Sequence, residues 1–122
     1  MLGESNVAAT IAVKDLEAAK KFYGEVLGLK FDKEDPGGVI YKSGDSRIYV
    51  YPSEFAGTNK ATYAGWIVDD VEGAVEALKS KGVTFEHYKE LGELKGDVHI
   101  LGDIKGAWFK DPDGNILSLT NL

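Results

Sequence analysis

His87 and His99 are the only two imidazoles in a chain of 122 residues, and they fall in or beside one charged stretch with Glu86, Glu90, Glu93, Asp97 and Asp103. Imidazoles and carboxylates are the donors of divalent metal sites and of general acid–base pairs. Their spacing here matches no ligand pattern, so both histidines read as solvated loop residues rather than as a base or a ligand. The chain has no cysteine, which excludes disulfides, thiolate nucleophiles and sulfur-ligated metal centres. A phosphate-cradling loop, a Gly-rich dinucleotide fingerprint and a nucleophile elbow are all missing, so nothing points to nucleotides or to acyl transfer.

The remaining polar chemistry lies on strands. In DPDGNILSL, Asp111 to Leu119, Pro112 presets φ and Gly114 can take positive φ, which predicts a tight hairpin turn. The turn has a mechanical explanation, so any chemistry falls on the strand that follows. Tyr41, Tyr49, Tyr51, Tyr63, Trp66 and Trp108 are also expected on strands, where aromatic residues are favoured for packing alone.

These positions are organised by an internal repeat. VKDLEAAKKFY from Val13 lies over VDDVEGAVEAL from Val68, an offset of 55; GLKF from Gly28 lies over GVTF from Gly82, an offset of 54; YKSGDSRIYVY from Tyr41 lies over FKDPDGNILSL from Phe109, an offset of 68. The second copy therefore carries about 14 extra residues between Phe85 and Phe109. Each copy reads strand, helix, three strands. Asp15 and Asp70 are placed as N-caps, and Gly28 and Gly82 as left-handed helix ends. The apolar stripes are Leu16, Ala19, Phe22, Tyr23, Val26 and Leu27 in one helix, and Val71, Ala74, Val75 and Leu78 in the other. Glu17 and Lys21 can pair across one helical turn, and Gly24 and Gly73 can allow close packing on the sheet.

With AWFKDPDGNILSL near its C-terminus and VKDLEAAKKFYGEVLGLKF near its N-terminus, the chain resembles the vicinal oxygen chelate superfamily. This is the group of glyoxalase I, bleomycin resistance proteins, fosfomycin resistance enzymes and extradiol dioxygenases. The resemblance covers essentially all of residues 1–122 and implies an α+β fold. Two tandem βαβββ modules, at about 5–55 and 60–122 with an insertion loop at about 89–105, would form curved mixed sheets around a cup completed in a homodimer. It also implies metal ligands of His, Gln or Glu type on the first and last strand of each module. Those positions fall at Ala8, at Tyr63, at Ser118, and at Val50 or, with a one-residue slip, Tyr49. None is an imidazole, a carboxylate or an amide, and hydroxyls alone make a poor divalent site.

The expectation is accordingly a metal-free protein, without a cofactor, that binds or sequesters a small molecule in the manner of the glyoxalase/bleomycin resistance group. The alternative is a metal-dependent lyase, transferase or dioxygenase of the glyoxalase I type using non-standard ligands, and enzyme status stays open. A third reading is a cup filled by its own side chains. The inward set is expected to include Ala8, Thr10, Ala12, Ile48 and Val50 in the first module, and Tyr63, Gly65, Ile67, Ile116, Ser118 and Thr120 in the second. Trp108 and, through the insertion, His99 join the ligand-binding candidates Tyr63, Ser118, Ala8, Val50, Thr10 and Tyr49. A net charge of -6 argues against nucleic acid and anionic membrane, and suits an apolar or aromatic ligand carrying positive charge. No stretch is apolar enough to span a membrane, and the first residues lack the pattern of a signal peptide, so the expected location is cytoplasmic.

Overall fold

The computed structural model describes residues Met1–Leu122 and divides into two compact units, Met1–Thr58 and Asn59–Leu122. The architecture is α+β, with a mixed sheet in each unit and few helices.

In unit 1, β1 (Ala8–Val13) leads into α1 (Leu16–Lys20), whose first turn is capped by the Asp15 carboxylate accepting from the Glu17 and Ala18 N–H groups at 3.0 and 3.3 Å. The expected single helix changes character at Lys21. Residues Lys21–Val26 form a π-helical segment, with Leu27 N–H donating to Phe22 O and Gly28 then turning at φ 74°. Such a widened turn rotates the residues after it relative to those before, and here Tyr23 is fully buried. Glu17 pairs with Lys20 rather than Lys21, because Lys20 also reaches Glu34 at 3.0 Å and is held between the two carboxylates.

Strands β2 (Lys30–Asp35), β3 (Gly38–Ser43) and β4 (Ser46–Pro52) complete a sheet of order β1-β4-β3-β2, in which only the β1–β4 pair is parallel. The register sets the faces. Ala9 pairs with Ile48 and Ile11 with Val50, so Ile48 and Val50 lie on the face with Ile11, Val13, Val39 and Tyr41, all buried. This corrects the expectation that Ile48 and Val50 share a face with Ala8. The side-chain period of two sends a whole strand to the other side when an alignment slips by one, and the branched residues of β4 take the apolar side. Tyr49, paired with Thr10, is the residue on the Ala8 side.

In unit 2, β5 (Thr62–Ile67) precedes α2 (Val71–Lys79), and Asp70 caps the helix by accepting from Gly73 N–H at 2.9 Å. A Cβ on Gly73 would collide with that carboxylate, so this glycine admits the cap rather than the sheet. The segment expected as an irregular insertion forms a hairpin instead. It consists of β7 (Glu93–Lys95) and β8 (Val98–Leu101), which follow the two-residue β6 (Phe85–Glu86); β8 pairs with β9 (Ile104–Lys110) and leaves β7 at the sheet edge. With β10 (Ile116–Thr120) the order is β5-β10-β9-β8-β7, and β6 also pairs with β9. Gly92, Gly96 and Gly102 all have positive φ in this segment and close its turns.

Leu117, Leu119, Ala107, Phe109 and Phe85 form the buried side of the second sheet, and α2, with Val71 and Val75 buried, packs on β8, β9 and β10. Full burial of each large side chain contributes roughly 1.5–3 kcal/mol. The β9–β10 turn follows the sequence expectation, with Gly114 at φ 88°, Asp111 N–H donating to Asn115 O and Gly114 N–H donating to Asp111 O, both at 3.0 Å. It has a polar core the turn residues alone do not require. The Asp111 carboxylate accepts from Asp113 N–H, Asn115 N–H and Asn115 Nδ2 at 2.8–2.9 Å, with Asn115 completely buried.

Candidate functional site

Ser118 stands on the side of the second sheet away from α2, between Gly65 on β5 and Trp108 on β9, with Glu86 beyond. The adjoining cross-strand row carries Ile67, Thr120, Gly106, His99 and Leu94. The structure therefore brings Ser118, Trp108 and His99 together on one face of unit 2, and Trp108 acquires the face that its sequence left open.

The Trp108 indole is fixed from several directions. Its six-membered ring lies against Gly106, where a Cβ would come within 2.9 Å of Cη2, and its Nε1 donates to Thr62 Oγ1 at 3.1 Å. His99 stands edge-on to the indole with centroids 5.0 Å apart and planes at 89°, and Tyr88 does so at 5.8 Å and 79°. Edge-to-face packing of this kind orients rings as well as burying them. The indole is half-buried, a broad apolar plate with its polar edge already satisfied.

His99 departs most from its sequence reading. It is a fully buried strand residue, and its Nε2 accepts from Tyr88 N–H at 2.9 Å. That bond requires a lone pair at Nε2 and so leaves the proton on Nδ1, a buried donor without a partner. Burial, and secondarily the charge of Glu86, raises the pKa of the Tyr88 phenol. Tyr63 lies at an irregularity of the β5–β10 ladder: Thr62 pairs with Ile116 and Ala64 with Leu117, which leaves Tyr63 as the extra residue. Sequence reading missed Tyr88, and it missed Gly106 as the bed of the indole. The two-residue alternation Gly106–Trp108 was the available signal.

In unit 1, Ala8 and Thr10 are exposed and Tyr49 is half-buried on the face away from α1, whereas Val50 is buried on the other. Tyr49 stacks on Tyr51 with centroids 6.0 Å apart and planes at 10°. Its hydroxyl is 3.5 Å from Asp35 Oδ1; desolvation first, and then the Asp35 charge and that bond, raise the pKa of the phenol.

His87 also finds partners. Its Nε2 is 2.8 Å from Asp97 Oδ1, while Lys79 Nζ is 2.8 Å from Asp97 Oδ2, so α2, the segment after β6 and the β7–β8 turn meet at one carboxylate. Hydrogen bonds from Lys79 first and His87 second hold the Asp97 carboxyl below the usual carboxylate range. A resident divalent cation does not fit this donor set. The positions that the resemblance implies as ligands carry a methyl, phenols, an aliphatic branch and an alcohol, and no three His, Cys, Asp or Glu side chains gather so as to hold a metal ion.

The chain is similar in structure to a protein assigned to the glyoxalase family from Bacillus anthracis, at 19% identity and TM-score 0.76 over 96% of this chain and 93% of that one. Lactoylglutathione lyase from Agrobacterium tumefaciens gives 18% identity and TM-score 0.73 over 96% and 92%. A member of the glyoxalase/bleomycin resistance protein/dioxygenase superfamily from Sphaerobacter thermophilus gives 23% and 0.72 over 98% of both chains. At these identities the likeness establishes the fold alone. A search of curated proteins finds no match by sequence. No helix is long and apolar enough to cross a membrane. Residues 6–119 match the family model described as Glyoxalase/Bleomycin resistance protein/Dioxygenase superfamily, and the chain belongs to that family.

Proposed function

We propose that the protein binds a small apolar or aromatic molecule without a resident metal, and that the α2-distant face of unit 2 is its contact surface. The observation that carries this reading is the Trp108 indole, laid on Gly106, tied to Thr62 and braced by His99 and Tyr88. An aromatic plate already held in one geometry loses little entropy when a ring stacks on it, and stacking with apolar burial requires no cation. Ser118, itself buried, and half-buried Tyr63 are the sequence-predicted ligand candidates beside this plate, and the fully buried His99 braces it rather than meeting a ligand. Ala8, Thr10 and Tyr49 are the corresponding candidates on unit 1. The protein is further proposed to work as a homodimer, as its resemblance implies, with light scattering as the check.

Titration with 2-naphthalenemethanol, followed by intrinsic tryptophan fluorescence, tests the reading. Saturable quenching in the wild type and its loss in Trp108→Leu, with Trp66 retained, is the expected result; an equal response from the variant overturns it. Elemental analysis of protein purified without chelator is the second check, since a stoichiometric divalent metal would end the metal-free proposal. A lyase-type activity would require that metal, and no feature of the donor set favours it.

A further inference from the structure

The α1-distant face of unit 1 has a charge arrangement that its sheet does not need. Lys30, Lys42 and Arg47 occupy directly opposed positions on β2, β3 and β4, in the row that ends at Ala8. Like charges facing one another across strands are destabilising. The next row adds Lys33, beside Ile40, Tyr49 and Thr10. Against these four cations stand Asp32, which leaves the β2–β3 ladder at a register shift and meets Arg47 Nε at 3.3 Å and Lys42 Nζ at 3.9 Å, and Asp35, already accepting from the Gly37 and Gly38 N–H groups. The face therefore has a local positive excess in a chain of net charge -6.

We propose that this face binds a small aromatic carboxylate. The Arg47 guanidinium, oriented by Asp32, presents the planar fork that matches a carboxylate, and Lys42 supplies a second cation across the strand. The stacked Tyr49–Tyr51 pair in the adjoining rows offers an aromatic wall, and exposed Ala8 and Thr10 leave low ground beside it. Net charge favours a cationic ligand at a distance, but exposed charges beyond about 10 Å are screened at ordinary ionic strength, so the local row governs what makes contact. The inference rests on the reading of the chain as a small-molecule binder and adds the ligand's charge and the cations of unit 1 that would meet it.

The probes are 2-naphthoate, 2-naphthalenemethanol and 2-naphthylmethylammonium, each titrated into 15N-labelled protein. The expected result is that 2-naphthoate binds more tightly than the other two and shifts the amides of Thr10, Arg47 and Tyr49. Lys42→Gln/Arg47→Gln should weaken naphthoate about tenfold or more while leaving the neutral alcohol unchanged, and raising salt from about 50 to about 500 mM should weaken naphthoate alone. Lys42→Gln by itself, with a smaller loss of the same sign, serves if the double variant fails to fold. Preference for the ammonium probe, or naphthoate binding unaltered in the charge variants, overturns this proposal while the small-molecule reading stands. If none of the three probes binds, both fall.

Discussion

Unit 1 and unit 2 are copies of one strand-helix-strand plan, yet their faces away from the helix have different chemistry. Unit 1 presents Lys30, Lys33, Lys42 and Arg47 around two stacked tyrosines, most of it exposed. Unit 2 presents an indole bedded on a glycine and braced by a fully buried imidazole. The apolar side under each helix is alike in both. Repetition preserved the packing side, where burial constrains residue type, and left the opposite side free to diverge.

The sharpest way to break the comparison is at the hairpin preceding the last strand of each unit. In unit 2, Asp111→Ala strands the buried Asn115 amide and two backbone N–H groups, and is expected to destabilise by about 2–4 kcal/mol in chemical denaturation. The unit 1 counterpart is the Gly44–Asp45 turn, with Gly44 at φ 57°, where Asp45→Ala is expected to change stability by less than about 0.5 kcal/mol. Equal losses would mean that the two hairpins are held alike.

Gly106→Ala comes next. The added methyl meets the indole edge, and a loss of about 1–3 kcal/mol with an altered tryptophan emission spectrum is expected, because the ring is held by Thr62 and His99 and has little room to move. Unchanged emission would remove Gly106 as the bed of the plate. His99→Phe keeps the edge-on ring but strands Tyr88 N–H; a loss of about 1–2 kcal/mol is expected by the same denaturation measurement.

The smaller effects concern charge. The Asp97 carboxyl titrates below its unfolded value, so the stability it contributes is present above the unfolded carboxylate pKa and is lost as pH falls through the lower folded value. Asp97→Asn should therefore cost about 1 kcal/mol near neutral pH, and the gap to wild type should close in acid. A gap that stays constant down to strongly acid pH would show that the carboxylate's charge is not what ties α2 to the β7–β8 turn. Lys42→Gln is expected to have the smallest effect, within about 0.5 kcal/mol, since relief of the facing cations offsets the lost contact with Asp32.

Sequence reading was strongest where a local rule decides the conformation. The caps at Asp15 and Asp70, the left-handed glycines at Gly28, Gly82 and Gly114, and the strand-helix-three-strand order of unit 1 could all be read from the chain, whereas unit 2 places five strands after its helix. It left Val50 and Tyr49 as alternatives one residue apart, because a repeat offset does not carry the parity of a strand, and the register puts Tyr49 on the Ala8 side. It failed at His99 because polar composition hid a hairpin whose burial comes from partners on β9.

By itself, then, the sequence determined the helix caps, the left-handed helix ends and the β9–β10 turn, because capping and glycine conformations act between near neighbours, and its two terminal motifs carried the superfamily. Only the tertiary structure decided which face each side chain occupies, that Trp108, His99 and Ser118 meet, and that three cations line up across three strands. Those outcomes depend on register between segments distant in the chain, and register is fixed by cross-strand pairing rather than by any residue's own preference.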